Sequence, residues 1–213
     1  GGQALTRYVL DNPVEVAGKS VIDLGAGSGL LAIGSGSVVL TALAVLGSDL
    51  YAGGWFTTAG GLIVQCVAKW DGSNWSGLDS GMTADYWDRD GEYHGTPHVE
   101  ALAVSGNHLY AGGGFTTAGD IDANFIGKWD GSSWSALGSG MDYGVTLLAA
   151  SSDELFAAGD LFWGGFTTAG GKISPNLARV RIGSIIKSVA VTNSTASIQL
   201  SGVTGYQYHV QRA

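Results

Sequence analysis

A long internal repeat constrains the fold of this chain more than any other feature. The segment ALAVLGSDLYAGGWFTTAGG at 42–61 returns as ALAVSGNHLYAGGGFTTAGD at 101–120 and, more loosely, as LLAASSDELFAAGDLFWGGFTTAGG at 147–171. All three copies contain FTTAG. Recurrence of a whole segment is typical of repeat architectures, so we expect one structural unit to occur three times.

The sequence after each copy extends the repeat. VAKWDGSNWSGLDSGM at 67–82 matches IGKWDGSSWSALGSGM at 126–141, whereas the third copy continues as the degraded LARVRIGS at 177–184. In the second unit, period-2 runs predict four strands, VEALAVSG, HLYAGGGF, FIGKWD and SWSALG. The turn SGNH joins the first two, and Asp130-Gly131, which accepts positive φ, joins the last two.

Four strands in each repeat of about 43 residues are typical of β-propeller blades. We therefore predict an all-β protein, a propeller of four-stranded antiparallel blades that is incomplete in one chain. The expected organisation is an N-terminal fragment, a propeller, and a C-terminal β-hairpin that begins a truncated domain. The predicted bounds are 1–19 for the fragment, helical or disordered; 20–184 for the propeller, with a half-blade at 20–37 and blades at 38–82, 99–141 and 144–184; and 185–213 for the hairpin.

The repeat residues LYAGGxFTTAGG and KWDGSxWSALGSGM resemble a family of bacterial extracellular repeat proteins with kelch-like or galactose-oxidase-like propellers. The resemblance covers about 38–184. It implies a propeller fold and a secreted or cell-surface setting, but it carries no shared catalytic residues. The recurring tryptophans Trp70, Trp75, Trp129 and Trp134 are expected to pack between sheets.

The N-terminal segment 1–33 has a different character. In it, the strand-like VIDL runs into the glycine-rich turn GAGSG at 25–29. The segment resembles the start of a class I methyltransferase domain, closest to the protein-lysine methyltransferases that modify electron-transfer flavoprotein. In that family this loop approaches S-adenosylmethionine, with Asp23 near the cofactor. The helix and the second, acidic-ended strand that such a site needs do not follow, so we expect no S-adenosylmethionine binding.

The junction also keeps the register of the repeat. VIDLGAGSGLLAIGSG aligns with VAKWDGSNWSGLDSG, with one extra residue in the turn. We therefore interpret the chain as a chimera in which a methyltransferase fragment serves as the last two strands of a blade. Three blades and a half-blade leave open edges, whereas known rings hold about 4–8 blades. Either the C-terminal hairpin completes the ring, or two chains close it as a homodimer, which we favour.

The insertion TADYWDRDGEYHGTPH at 83–98, between the first two blades, is the most unusual segment. One interpretation is a solvated loop with a turn at Asp90-Gly91. The other is a divalent-cation site, because imidazole and carboxylate groups are ligands that Zn²⁺, Mn²⁺ or Ca²⁺ accept. The candidate ligands are Asp85, Asp88, Asp90, Glu92, His94 and His98.

Charge and cysteine content limit the function classes. The net charge of −8, with 10 basic residues spread along the chain, argues against a nucleic-acid partner. No apolar run has membrane-spanning length and no signal segment opens the chain, so we expect a soluble protein without a membrane partner. The one cysteine, Cys66, is expected in a buried strand.

Two functions from different classes remain open. The first is a non-catalytic propeller module with a binding or structural role, in which the loop face can take a small-molecule ligand. The second is a metal-assisted hydrolase of activated esters that uses the insertion, in which a bound cation lowers the pKa of a water. In a four-stranded meander, the FTTAG loops and the inter-blade linkers share one face, so we expect any site there.

Overall fold

The computed structural model describes residues 39–87, 91, 93–160, 165–182, 186–192 and 195–200. Every regular element in these ranges is a β-strand, which confirms the all-β class. Among the described residues, no helix has the length and apolar character needed to cross a membrane. The N-terminal fragment and the proposed half-blade at 20–37 lie outside these ranges.

The first unit is a four-stranded antiparallel sheet with a small hairpin in its central connection. Its strands are β1 (Val39–Leu46), β2 (Asp49–Trp55), β3 (Thr58–Ala59), β4 (Leu62–Ile63), β5 (Val67–Trp70) and β6 (Trp75–Gly77). The sheet order is β1-β2-β5-β6, and β3 pairs with β4 to form the hairpin. The linker that follows contains β7 (Met82–Thr83), β8 (Tyr86–Trp87) and β9 (Tyr93–His94).

The second unit repeats this architecture. Its strands are β10 (His98–Ser105), β11 (His108–Gly114), β12 (Thr117–Ala118), β13 (Ile121–Asp122), β14 (Ile126–Trp129) and β15 (Trp134–Ala136). The order β10-β11-β14-β15 is antiparallel throughout. The four strands predicted from the period-2 runs are therefore confirmed.

The third unit has three strands in its main sheet. Its strands are β16 (Val145–Ala150), β17 (Glu154–Gly159), β18 (Thr168–Ala169), β19 (Lys172–Ile173) and β20 (Leu177–Arg181), and the sheet order is β16-β17-β20. Within the described residues, the expected fourth strand is missing because the WSALG run has degraded. Two further strands, β21 (Ile186–Thr192) and β22 (Thr195–Leu200), pair with each other as an antiparallel hairpin.

The same backbone turn precedes the third main strand of every unit. Cys66, Phe125 and Asn176 occupy equivalent positions with φ of 64°, 64° and 59°. Each donates its N–H to the carbonyl of the phenylalanine of its own FTTAG segment, at 2.8–2.9 Å. Cys66 is therefore buried as expected, but it lies in this turn and not in a strand.

Successive units pack face to face through a glycine of one unit and a valine of the next. A Cβ at Gly53 would lie 2.6 Å from Cγ1 of Val99, and one at Gly112 would lie 2.6 Å from Cγ1 of Val145. Only a residue without a side chain permits this approach. As a result, the first strands β1, β10 and β16 lie side by side.

The core lies between the units. Tyr51 and Val67 of the first unit belong to one buried cluster with Val99 and Phe115 of the second. The second and third units share an equivalent cluster, formed by residues that include Tyr110, Ile126, Val145, Leu155 and Phe166. The middle unit contributes residues to both clusters, so both of its faces are buried.

The recurring tryptophans Trp129 and Trp134 lie in the first of these clusters, as expected, and act as packing elements between the first two sheets. They form a tilted pair with ring centroids 5.3 Å apart, and Trp70 and Trp75 repeat the arrangement at 5.5 Å. Trp75 is buried in a third cluster of first-unit residues, with Trp70 packed against it.

Candidate functional site

Each linker is hydrogen-bonded to the FTTAG loop of the following unit. Met82 and Thr83 in β7 pair with Ala118 and Thr117 in β12. The second linker begins with an equivalent bridge between Met141 and Ala169. The linkers and these loops therefore share one face, as the topology predicted. We call it the linker face, comprising the linkers 83–98 and 142–144 and the loops 56–60, 115–119 and 166–170.

Threonine side chains make part of this connection. The hydroxyls of Thr83 and Thr117 are 2.5 Å apart, and the hydroxyl of Thr116 accepts the backbone N–H of Asp85 at 3.1 Å. The threonines of the second FTTAG loop therefore bond to the preceding linker, because the linker strand runs alongside the loop.

Asp142 connects the second linker to the FTTAG loop of the third unit. Its Oδ1 accepts the N–H groups of Thr167 and Thr168 at 2.7 and 2.8 Å, and its Oδ2 accepts the Thr167 hydroxyl at 2.5 Å. Burial raises the pKa of this carboxyl, but the three hydrogen bonds outweigh burial, so its pKa lies below the ordinary value. The ionised carboxylate therefore stabilises the contact between the second linker and the third unit.

Replacing Asp142 with alanine should lower the free energy of unfolding by about 1–2 kcal/mol, because charge-assisted hydrogen bonds at a partly exposed site are lost. The folded-state pKa lies below the unfolded value of about 3.9, so this stabilisation is present above that pH and is lost as pH falls through the folded pKa. Urea unfolding at pH 7 and at low pH would measure it. Asp142→Asn keeps an acceptor oxygen and is the control. An equal loss at both pH values in Asp142→Ala, relative to the native chain, would contradict the assignment.

Trp55, His98 and Glu100 form a second group at the junction between the first two units. The rings of Trp55 and His98 are stacked, with centroids 3.9 Å apart and an interplanar angle of 5°. The indole N–H of Trp55 donates to Oε1 of Glu100 at 3.4 Å, and Nε2 of His98 lies 3.7 Å from the same oxygen. Trp55 remains 36% exposed. An aromatic surface beside a carboxylate is thereby presented at the rim of the linker face.

The structure places two of the six predicted metal ligands in detail. Asp85 is exposed in the linker, and His98 is half-buried against Trp55 and packed on the backbone of Gly114. The backbone of His94 pairs with Tyr86 in the β8–β9 hairpin. The side chain of His94 and the residues Asp88, Asp90 and Glu92 lie outside the described residues.

No three of the described histidine, cysteine, aspartate and glutamate residues are grouped so that they could hold a metal ion. His98 is engaged by Trp55 and Glu100, which holds its ring at the junction of two units. The cation site for Zn²⁺, Mn²⁺ or Ca²⁺ therefore remains a prediction that depends on residues outside the described ranges.

Sequence reasoning missed Trp55, Glu100 and Asp142 as members of this face. Trp55 could have been found, because it stands where the second unit has Gly114 in an otherwise matching segment. Glu100 is the bulged residue of β10, and Asp142 looks like an ordinary linker aspartate. Nothing in their immediate sequence neighbourhood predicts their partners.

Carboxylates are abundant on the linker face and its edge. Oδ2 of Asp79 lies so close to Gly119 that a Cβ there would approach within 2.6 Å. The acidic residues described on this face and edge are Asp79, Asp85, Glu100, Asp120, Asp122 and Asp142, and Lys172 lies in the third hairpin. This part of the molecule therefore carries a negative potential.

These features define the protein as an all-β repeat protein whose antiparallel sheets stack face to face and whose linkers gather on one side. The chain matches no protein-family model. A segment of 33 residues is 70% identical to the electron transfer flavoprotein beta subunit lysine methyltransferase of Mus musculus and to that of Homo sapiens, and 61% identical to that of Danio rerio. The match covers 16% of this chain and 13% of each of these relatives.

The length of the match equals that of the segment 1–33, and the chain contains a short methyltransferase-like fragment. The fragment covers too little of those relatives to place the whole chain in their family. Asp23 and the loop 25–29 lie outside the described residues. The expectation that S-adenosylmethionine does not bind therefore stays a prediction.

Proposed function

We propose that the chain is a non-catalytic β-propeller repeat module that binds a partner through its linker face. Three features support the propeller arrangement. Two units are four-stranded meanders and the third has three of the four strands, successive sheets pack face to face, and the first strands β1, β10 and β16 lie side by side like inner strands around an axis.

The observation that carries the binding role is that both insertions into the repeat occur in connections whose described ends lie on the linker face. The insertion 83–98 lies between the first and second units, and the third unit has extra residues between β17 and its FTTAG loop, at 160–165. The opposite turns are short, with two residues joining β1 to β2 and two joining β10 to β11. In repeat proteins, insertions of this kind often mark the binding face.

The chemistry of the face favours a cationic partner. Its carboxylates attract positive charge, and the exposed part of the Trp55 ring offers a surface for an ammonium or guanidinium group beside Glu100. A peptide segment or protein surface rich in arginine or lysine has the complementary charge. We therefore propose such a segment as the ligand class.

The test is titration of the whole chain with a fluorescent peptide of alternating arginine and glycine, followed by anisotropy. The matched probe has glutamate in place of every arginine. We expect binding of the basic peptide only, weaker at higher salt. Trp55→Ala and Glu100→Gln should weaken it by roughly 3- to 30-fold, the range of a cation–π or single charge contact.

Asp153→Asn is the matched control, because it removes one negative charge from the β16–β17 turn on the opposite face. Equal effects of Asp153→Asn and Glu100→Gln would show that net charge alone matters and would overturn the assigned face. Turnover of p-nitrophenyl phosphate in the presence of Zn²⁺ or Mn²⁺ would contradict the non-catalytic role.

A further inference from the structure

The junction between units occurs twice within the chain, and it shows which residues on each face of a unit are buried by a neighbouring unit. At both junctions, the face that points to the next unit is buried by that unit. In the second unit, Ala101, Tyr110 and Ile126 on this face are 9%, 2% and 1% exposed. The clusters that cover them contain residues of the following sheet.

The third unit carries the same face, but among the described residues no four-stranded sheet follows it. The residues equivalent to Ala101, Tyr110 and Ile126 by strand register are Leu147, Phe156 and Leu177. Leu147 is 55% exposed, Leu177 is 62% exposed and Phe156 is half-buried. We call these three residues the unit 3 patch.

The first unit carries the complementary feature on its opposite face. Val99, Leu102 and Val104 of the second unit point toward the first unit, with Val99 fully buried and the other two half-buried. Their equivalents in β1 are Leu40, Leu43 and Val45, which we call the unit 1 patch. Leu43 is 49% exposed and Val45 is 64% exposed.

The exposed apolar side chains of the first unit include Leu43 and Val45 of its inner strand β1. The outer part of the same face, around Phe56 and Trp75, is buried within the chain. The patch on β1 is therefore of the size and kind that an adjoining inner strand would cover, as β1 itself covers β10.

We propose that a second copy of this chain covers both patches, with the unit 3 patch of each copy packed on the unit 1 patch of the other. The chain carries both halves of a contact that it already makes twice internally, so the two patches are complementary in strand position and in apolar character. Two identical contacts related by a two-fold axis close a ring, and the six units that the structure describes in two copies lie within the known range of about 4–8. The inference rests on the propeller arrangement proposed above.

Two residues make the closing contact looser than the internal ones. Ala158 of the third unit stands where Gly53 and Gly112 receive a valine, and Leu40 of the first unit stands where Val99 and Val145 provide it. The leucine side chain is larger than valine, and the Cβ of Ala158 fills the space that a glycine leaves empty. The two sheets must therefore lie slightly farther apart. Ala158→Gly should relieve this and tighten the association.

The experiment is sedimentation equilibrium of the whole chain and its variants over a wide range of protein concentration. We expect the native chain to have twice the mass of one chain, and Leu43→Asp and Leu177→Asp each to halve that mass. Ala158→Gly should lower the dissociation constant. Ile63→Asp is the matched control, because Ile63 is 85% exposed and its equivalent in the fully flanked second unit, Asp122, stays exposed.

Mixing the two disrupting variants tests the head-to-tail arrangement. A mixture of Leu43→Asp and Leu177→Asp contains one intact contact and should recover part of the doubled mass. A doubled mass in Leu43→Asp alone would show that the third units pair with each other and would overturn the proposal. A monomeric native chain, or growth to masses beyond two chains, would also overturn it, while binding of the basic peptide would still test the linker face separately.

Discussion

Gly113→Ala should lower the free energy of unfolding by about 3 kcal/mol, the upper part of the range for overpacking a tightly packed site. A Cβ at Gly113 would overlap the carbonyl oxygen of His98 and lie 2.9 Å from Cα of Val99. Both are backbone atoms of the paired strand β10, so no side-chain rotation relieves the overlap. The two strands would have to separate at the bulge between Val99 and Ala101.

Gly144→Ala is the matched control for this prediction. A Cβ at Gly144 meets only the carbonyl oxygen of Gly113, at 3.8 Å, and its φ does not lie in the left-handed region. Urea unfolding followed by tryptophan fluorescence would compare the two variants. If Gly113→Ala lost no more stability than Gly144→Ala, the close approach of the β10 backbone to Gly113 of β11 would be wrong.

Trp134→Ala should cost about 3–5 kcal/mol, as large-to-small changes at buried aromatic residues do. Trp134 is 5% exposed and packs against Trp129, and its indole N–H donates to the carbonyl of Leu78 in the preceding unit at 3.1 Å. The substitution therefore removes core volume and leaves a buried carbonyl without its donor. It should also loosen the first unit from the second.

A phenylalanine scan separates the hydrogen bond from the packing. Trp134→Phe should cost about 1–3 kcal/mol, because it removes the donor to Leu78 as well as part of the ring. Trp75 holds the same repeat position, but its buried indole nitrogen has no hydrogen-bond partner in the described structure. Trp75→Phe should therefore cost less than Trp134→Phe, and thermal unfolding of both variants would measure the difference. Equal losses would show that the Trp134 hydrogen bond contributes nothing.

The strands of the second unit were predictable because their signals are local. The apolar–polar alternation in VEALAVSG and the turn at Asp130-Gly131 each depend only on residues that are close together in the sequence. Gly131 indeed has a φ of 104°, and the Asp130 carboxylate accepts the N–H groups of Ser132 and Ser133 at 2.9 Å. The small hairpins at the FTTAG loops were not predicted, because a strand of two residues is too short to show apolar–polar alternation.

The candidate site was predictable only as a face. Topology placed the linkers beside the FTTAG loops, and the pairing of β7 with β12 confirms that placement. The individual residues that define it, Trp55 and Glu100, lie 45 positions apart. His98, a predicted metal ligand, is stacked on Trp55 in the structure, and its role as a ligand stays a prediction.

By itself, the sequence determined the all-β class, the repeat unit and the strand order within the main sheets of the first two units, because strand period and turn residues depend on neighbours in the chain. Tertiary structure alone decided which groups meet between units. Thr83 and Thr117 are 34 positions apart, Asp142 and Thr167 are 25 apart, and Trp134 and Leu78 are 56 apart. Such pairs form only when one sheet has packed on the next, as at Gly53 and Val99. That packing depends on the complementary shapes of the two sheets, which a local sequence pattern does not predict.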